Sequence, residues 1–184
     1  MELTGKLLIA MPGMGDPRFE KSVVFICAHS EDGAMGLIVN KPTPDLKMDD
    51  LLEQLRIPTG EGSKGINVYF GGPVEHGRGF VLHSGDYRAR EATLVVDDRF
   101  AMTATQEVLE AIAHGTGPRA SMLMLGYAGW GPGQLEQEIM HNGWLVVDAS
   151  PELVFNPDNG RKWEAALASL GVDPVSLSAT AGRA

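Results

Sequence analysis

Short β-type runs joined by tight turns constrain the fold of this chain more than any other feature. Residues 23–29 are rich in β-branched and aromatic side chains, and residues 34–40 form a second apolar run after a polar turn that ends in glycine. Residues 66–70 and 79–83 repeat the arrangement around a Gly-Gly-Pro turn. Both pairs are typical of β-hairpins. We therefore expect a largely antiparallel sheet.

Helical patterns are inserted between groups of strands instead of following each strand. Four segments carry them: residues 48–55, 104–114, 134–141 and 163–170. Thr103 and Gln106 have the Thr-x-x-Gln spacing of a capping box, which predicts the start of the second helix. This order favours an α+β fold, a single compact domain with a curled, mostly antiparallel, barrel-like β-sheet flanked by helices, over a doubly wound parallel fold.

The length of 184 residues and a hydrophobic fraction of 43% suffice for one domain with a sizeable core. We expect that domain at residues 1–175, with a frayed polar tail at residues 176–184. No apolar run approaches the ~18 residues of a membrane span. The single cysteine, Cys27, allows no internal disulfide, which is compatible with a reducing compartment. We therefore expect a cytoplasmic protein with no membrane partner.

The acidic charge of the chain argues against direct binding of nucleic acid. The formal net charge is −9 at pH 7, and the basic residues are scattered along the sequence. Such a field repels phosphate backbones at long range, whereas non-specific nucleic-acid affinity comes mostly from cationic side chains. A direct DNA-binding regulator is therefore disfavoured.

The chain carries no complete catalytic, cofactor or metal motif. The glycines after residue 125 lack the Gly-Lys-Ser/Thr ending of a phosphate-binding loop and miss the Gly-x-Gly-x-x-Gly register, and no Gly-x-Ser-x-Gly sequence occurs. Cys27, His29, His76 and His83 have no metal-ligand spacing, so a buried cysteine beside hydrogen-bonded histidines is favoured over a zinc site. We expect no cofactor, no metal and a non-enzymatic protein.

A glycine-rich segment around Trp130 is the first candidate binding site. An apolar strand at residues 120–125 is predicted to lead into a loop at residues 126–133, which carries Tyr127 and Trp130 among four glycines before a helix opens. The indole is either a recognition hot spot or an anchor that folds back onto the core. The helix opening offers backbone N–H groups to an anion, unless nearby carboxylates occupy the same dipole.

Polar residues at strand ends form a second candidate site. They are Asp16, Ser22, His29, Asn40 and His83. If the fold brings them together, they form a polar pocket in which His29, His83 and Asp16 supply acid and base groups for an enzyme of unrecognised type. The alternative is that they satisfy the backbone of loops, which is a common role for a turn residue such as Asn40.

Several motifs occur in order along the chain. They are GKLLIAMP (residues 5–12), DPRF (16–19), GAMGLIVNKP (33–42), GGPV (71–74), LH (82–83) and GYAGWGPGQLE (126–136). Together they resemble the bacterial AlgH/YqgE family, from the first strand to about residue 148. The resemblance implies a compact α+β domain on a curled, mostly antiparallel sheet. It also implies a regulatory role, since members are often described as transcriptional regulators, and it supplies no catalytic residues.

We therefore expect a non-enzymatic cytoplasmic binding or regulatory protein. It would act through a partner protein or a small anionic ligand, as an indirect transcriptional regulator. The enzyme of unrecognised type and the direct DNA-binding regulator remain the alternatives. The residues predicted to bind the ligand or partner are Asp16, Pro17, His29, Asn40, Gly71, Gly72, Pro73, His83, Tyr127, Gly129, Trp130, Gly133 and Gln134.

Overall fold

The computed structural model describes residues 1–13, 15–64 and 66–173 of the chain. The strands are β1 (Lys6–Ala10), β2 (Val23–Ser30), β3 (Gly33–Ile38), β4 (Pro42–Lys47), β5 (Asn67–Phe70), β6 (Val74–Ser84), β7 (Thr93–Val95), β8 (Phe100–Thr103), β9 (Ser121–Trp130) and β10 (Trp144–Asp148). The α-helices are α1 (Met48–Gln54), α2 (Gln106–His114), α3 (Gln134–Met140), α4 (Pro151–Val154) and α5 (Lys162–Ala168). The predicted tail at residues 176–184 lies outside the described residues. Within those ranges, no helix has both the length and the apolar character needed to cross a membrane.

The strands form one curled, half-barrel sheet. Its order is β10-β1-β2-β3-β9-β6-β8-β7, and β5 pairs with β9 while β4 pairs with β5. Among the described strands, β5 and β9 run parallel and every other pair is antiparallel. The predicted first hairpin is present as β2 and β3, with Ser30 opposite Gly33. The predicted α+β fold, a single compact domain on a curled, mostly antiparallel sheet, is confirmed.

The second predicted hairpin, between residues 66–70 and 79–83, is wrong. These segments lie in β5 and β6, but the two strands do not pair with each other. Leu123 of β9 is opposite Val68 of β5 on one side and Val81 of β6 on the other. The strand β9 is therefore inserted between two strands that are neighbours in sequence, and its pairing outweighs the local turn signal.

The inner face of the curled sheet carries the main core. Leu7, Ile9 and Phe25, at alternating positions of β1 and β2, are fully buried on this face. Helices α4 and α5 cover the face near β1, where Trp163 donates its indole N–H to the Ala10 carbonyl at 2.8 Å. Burial of each such large apolar side chain contributes about 1.5–3 kcal/mol. The β1 end of the inner face is thus closed by helices.

Two clusters cover the outer face. Near β1, β2 and β3, helix α3 buries Leu135 beside Leu3 of the N-terminal segment. At the other end, α1 and α2 pack Leu52, Val108 and Ile112 against β5, β6 and β9. The helical pattern at residues 48–55 marks the face that α1 buries, whereas α2 begins only at Gln106 and buries Leu109 and Ala113 beside Val108 and Ile112.

The capping box predicted at Thr103 is wrong. Thr103 ends β8, and its hydroxyl lies 2.8 Å from Nε2 of His83. Helix α2 begins at Gln106 after the N-cap residue Thr105, whose side chain makes no capping hydrogen bond. The hydroxyl that a capping box needs is instead used inside the sheet.

A bulge at Gly126 changes which residues of β9 face inward. Met122 and Met124 face the inner core, and so does Tyr127, although strict alternation would turn Tyr127 outward. Gly126 has a φ of +77°, and a Cβ atom there would lie 2.4 Å from the carbonyl oxygen of Gly72. Only glycine satisfies both restrictions. The bulge places the Tyr127 ring on the inner face and gives the end of β9 its orientation.

Candidate functional site at the end of β9

The inner face of the sheet remains open as a groove near the end of β9. This inner groove has a volume of about 740 Å³, and its floor is formed by Met35, Phe80, Met102 and Tyr127. The floor residues belong to β3, β6, β8 and β9, and all of them contact or belong to the inner core. The volume lies within the roughly 300–1,000 Å³ of small-molecule sites. The groove is therefore an extension of the apolar core to the surface.

A second groove lies beside the first. This outer groove has a volume of about 610 Å³ and runs between Phe19, Trp144 and the first turn of α3. Gly129 and Trp130 line both grooves. The last two residues of β9 thus form the ridge between two concave surfaces.

The Trp130 side chain is fixed by a hydrogen bond to Glu138 and by contact with the indole of Trp144. It ends β9 instead of lying in the predicted loop, and 7% of its surface is exposed. Its Nε1 donates to Oε1 of Glu138 at 3.1 Å, and the same oxygen accepts from Nε1 of Trp144 at 3.0 Å. The two indoles meet edge to face with centroids 6.1 Å apart. Trp130 is therefore an anchor on the core, the second of the two interpretations, and part of its side chain also lines both grooves.

The Gln134 side chain folds back over the opening of α3. Gln134 accepts a hydrogen bond from the Gly131 amide at 2.9 Å and donates to Oε2 of Glu138 at 3.0 Å. Gly133 takes the left-handed conformation at the N-cap, with φ of +72°. Of the backbone N–H groups predicted to be offered to an anion, that of Gly131 is therefore partnered by Gln134.

His29 is fixed in one tautomer by the N-terminal segment. The backbone N–H of Leu3 donates to Nδ1 at 3.2 Å, so the proton of the neutral imidazole is on Nε2. The Nε2 atom is buried and lies 3.5 Å from Oε1 of Glu136, outside hydrogen-bond geometry. Because its lone pair is engaged, His29 has no free basic nitrogen for proton transfer.

His83 belongs to a closed hydrogen-bond network inside the sheet. Its Nδ1 lies 2.7 Å from the Ser84 carbonyl, and its Nε2 lies 2.8 Å from the Thr103 hydroxyl. Thr103 in turn contacts the Thr93 hydroxyl at 2.7 Å, which accepts from the Ala89 amide. Burial lowers the pKa of His83, so the neutral ring that this network requires is favoured. Both ring nitrogens are thus used structurally.

The two histidines lie at opposite ends of β9. His29 is opposite Ala34, which is opposite Trp130 at the last residue of the strand. His83 is opposite Ser121 at the first residue. A strand of 10 residues spans roughly 30 Å. One substrate therefore cannot contact both imidazoles.

Two other polar candidates, Asp16 and Asn40, also have separate partners. Asp16 caps the 3₁₀ turn at Pro17–Phe19. Asn40 joins two segments by accepting from the Val23 amide and donating to the Lys21 carbonyl. The predicted polar pocket is therefore not formed. Asp16 and Asn40 satisfy the backbone, as the alternative interpretation proposed, whereas the buried Ser22 hydroxyl has no hydrogen-bond partner among the described residues.

The two grooves collect part of the predicted site. The inner groove contains His29 and Tyr127, the outer groove contains Asp16, Pro73 and Gln134, and both contain Gly129 and Trp130. The predicted residues that line neither groove are Pro17, Asn40, Gly71, Gly72, His83 and Gly133. Ser22 is fully buried. The predicted site residues that line a groove therefore lie around the end of β9.

Comparison with known proteins bears on this fold and site. A family model described as AlgH-like matches residues 7–175. The chain belongs to the AlgH-like family. Its relatives include a UPF0301 protein of Ruegeria pomeroyi at 61% identity and one of Cereibacter sphaeroides at 56% identity, and each alignment covers 100% of both chains. The resemblance expected from the sequence motifs is confirmed.

Solved structures show the same fold. The solution structure of the AlgH protein from Pseudomonas aeruginosa is similar with a TM-score of 0.80 and 43% identity, covering 96% of this chain and 93% of that chain. A crystal structure of a protein from Corynebacterium diphtheriae is similar with a TM-score of 0.76 at 23% identity, covering 97% and 91%. The second likeness shows the fold alone.

In this member of the AlgH-like family, charged residues in both grooves are not among the predicted site residues. Arg78 lines the inner groove, and Arg18 and Glu138 line the outer one. The polar segment at residues 75–78, which precedes the apolar run 79–83, was the available signal for Arg78. The role of Glu138 had no local signal, because its partners are indoles from two different strands.

Metal and thiol chemistry find little support near the grooves. Among the described residues, no three His, Cys, Asp or Glu side chains are grouped so that they could hold a metal ion. Cys27 is buried in the inner core, and burial raises the pKa of its thiol to about 12. A thiol in that state is a poor nucleophile at neutral pH.

Proposed function

We propose that this chain is a non-enzymatic binding protein of the AlgH-like family, which takes its ligand or partner at the end of β9. One observation carries the proposal: the apolar inner face, closed by α4 and α5 near β1, is left open as a 740 Å³ groove beside Trp130. An apolar groove next to the surface is a default binding site. We propose that the protein acts in the cytoplasm and that binding at this groove is the basis of a regulatory role.

The state of the titratable side chains supports binding over catalysis. His29 and His83 each have their basic nitrogen engaged by a neighbouring donor. Cys27 is buried with a raised pKa. General acid–base or nucleophilic catalysis needs such a group free and near its substrate. These three side chains therefore supply no free base or nucleophile, and His29 is the one of them that lines a groove.

The charge of the chain supports an indirect regulatory role. A protein with a net charge of −9 has no general electrostatic attraction to DNA. We propose that any influence on transcription passes through the molecule bound at the grooves. Direct DNA binding would instead show an affinity for DNA that falls steeply as the salt concentration rises.

A groove-blocking substitution tests the proposal. Gly129 is exposed, and a Cβ atom there would meet the Tyr127 ring at 3.4 Å, an ordinary contact. Gly129→Gln should place a polar side chain over both grooves without breaking β9. The matched control is Gly160→Gln, at an exposed glycine whose Cβ would meet only Asp158, at 3.9 Å.

The measurement is a screen of small carboxylates, phosphates and short peptides by two-dimensional amide NMR. We expect the ligands that bind to shift the amide signals of Tyr127 and Gly129. Binding should be lost in Gly129→Gln and kept in Gly160→Gln. Ligands that bind equally to both variants, or that shift only signals far from β9, would overturn the proposed site. Turnover of a bound compound would favour the enzyme instead.

A further inference from the structure

One wall of the inner groove carries an arginine, Arg78. Arg78 lies in the part of β6 between Val74 and Gly79, where the pairing with β9 is interrupted. Its guanidinium lies over the Phe80 ring, 5.0 Å from the centroid. Its side chain is 58% exposed and lies 3.5 Å from a carboxylate oxygen of Glu75. An exposed pair at this distance is weak, so a ligand anion can replace Glu75.

The opposite wall is acidic. Asp32 lies in the turn between β2 and β3, and it also lines the inner groove. Strand β9 runs between β3 and β6, so Asp32 and Arg78 lie on opposite sides of β9. The groove therefore has a basic side and an acidic side across an apolar floor.

The other titratable side chains of the lining leave this polarity in place. His29 lines the groove with its Nδ1 accepting from the Leu3 amide and its Nε2 buried. Among the described lining residues, Arg78 is the one Lys or Arg side chain and Asp32 the one Asp or Glu side chain. An anionic group in the groove is thus attracted to one wall and repelled by the other.

We infer that the inner groove binds a small amphipathic anion, a free molecule with a flat apolar body and one carboxylate, sulfonate or phosphate group. The body lies against Met35, Phe80 and Tyr127, and the anionic group pairs with the guanidinium of Arg78. Arginine suits this role because its planar fork matches two oxygens of an anion while its face stacks on an aromatic ring. The inference rests on the proposed binding function and names its ligand class.

Two fluorescent probes of similar shape separate the charge from the apolar body. The anionic probe is 1-anilinonaphthalene-8-sulfonate, and the neutral probe is N-phenyl-1-naphthylamine. Each is titrated into the wild-type chain and the variants Arg78→Gln, Asp32→Asn and Arg88→Gln. Arg88 is exposed and does not line either groove, so its variant controls for the general loss of one positive charge.

The expected results differ for the two probes. Arg78→Gln should raise the Kd of the anionic probe about tenfold, the change that corresponds to one charge-assisted pair. Asp32→Asn should lower that Kd by about threefold, because it removes the repelling carboxylate. The Kd of the neutral probe should stay within about twofold in all variants. Arg88→Gln should change neither value, and circular dichroism should be the same throughout.

Other outcomes overturn the inference and remain distinguishable from failure of the proposed function. If both probes bind and Gly129→Gln weakens both, but Arg78→Gln leaves the anionic probe unchanged, the groove binds ligands and the assignment to an anion is wrong. The same holds if Arg78→Gln weakens both probes equally. If neither probe binds, or if Gly129→Gln has no effect on either, the proposed site and the inference both fail.

Discussion

Trp130 and Trp144 share a single hydrogen-bond acceptor, the Oε1 atom of Glu138. Trp130 comes from the end of β9 and Trp144 from the start of β10, two strands that are not neighbours in the sheet. Glu138 of α3 therefore joins two distant parts of the sheet beneath the ridge between the grooves. The ridge is fixed by this contact before any ligand arrives.

Removal of the Glu138 carboxylate should destabilise the protein. In Glu138→Ala, two largely buried indole N–H groups lose their acceptor, and each unsatisfied donor costs about 1–3 kcal/mol. We expect a loss of about 2–4 kcal/mol in the free energy of unfolding, together with a shift in tryptophan emission. Chemical denaturation measures the first. Glu138→Gln keeps one acceptor oxygen and should lose less.

A second glutamate provides the control for this prediction. Glu53 is exposed on α1, so Glu53→Ala removes a carboxylate of the same size without touching an indole. Its unfolding free energy should change by less than about 0.5 kcal/mol. Equal losses in the two alanine variants would show that the shared acceptor contributes nothing specific.

His83 should make stability depend on pH in the weakly acidic range. Burial lowers the pKa of His83 in the folded state below its ordinary value near 6.5, so the folded state binds fewer protons. Its stabilising contribution is complete above pH ~6.5 and is lost as pH falls towards the lowered pKa. Between pH 7.5 and 5.5, the wild type should lose more stability than His83→Gln.

The control for the pH effect is His114, which is exposed at the end of α2. His114→Gln should keep the wild-type slope of unfolding free energy against pH. Thermal unfolding at several pH values gives the comparison. A His83→Gln variant with the same slope as the wild type would contradict the assigned cause.

Local patterns were enough to predict the elements whose partners lie nearby. The β2–β3 hairpin forms with Ser30 opposite Gly33, and α2 ends at Gly115 in the left-handed conformation, as the turn and stop signals indicated. The second hairpin failed because Leu123, a residue far along the chain, pairs with both β5 and β6. No short-range signal contains that pairing.

The candidate site shows the same division between local and long-range information. The sequence identified Trp130 and Gly129 as unusual, and both line the two grooves. It did not indicate that Glu138 would bind two indoles, nor that Arg78 and Asp32 would line the same groove, because these relations exist only once the sheet has curled. His29 and His83 were predicted as acid or base groups for the same reason, because the partners that engage their ring nitrogens are set by the fold.

Lys162 should make the stability of the protein depend on pH above neutrality, whereas His83 acts in the weakly acidic range. Its ammonium group is buried, donates to the carbonyls of Val39 and Val154 at 2.8 and 2.7 Å, and lies 5.5 Å from the centroid of the Tyr69 ring. Burial lowers its pKa to about 7, below the ordinary 10.5, so the unfolded state binds more protons between these values. The contribution of Lys162 to stability therefore rises with pH across that window.

The variant Lys162→Met removes this titration. From pH 6 to pH 9, the stability of the wild type relative to the variant should increase by roughly 2–3 kcal/mol. Lys64→Met, at an exposed lysine, should follow the wild type. Urea denaturation at the two pH values provides the measurement, and a pH-independent difference between wild type and Lys162→Met would contradict the prediction.

Two glycines of β9 should respond differently to the same substitution. At position 126, alanine would have to adopt a φ of +77° and would place its Cβ 2.4 Å from the Gly72 carbonyl oxygen. At position 129, the atom nearest to the new Cβ would be a Tyr127 ring carbon at 3.4 Å. Gly126→Ala should cost about 2–4 kcal/mol through strain and displacement of the bulge. Gly129→Ala should be neutral or stabilising by up to about 1 kcal/mol, because alanine loses less backbone entropy in a strand. Denaturation of both variants measures the change in unfolding free energy, and the amide NMR signal of Tyr127 reports on the inner groove. Similar losses of stability in the two variants would mean that the bulge does not depend on glycine at position 126.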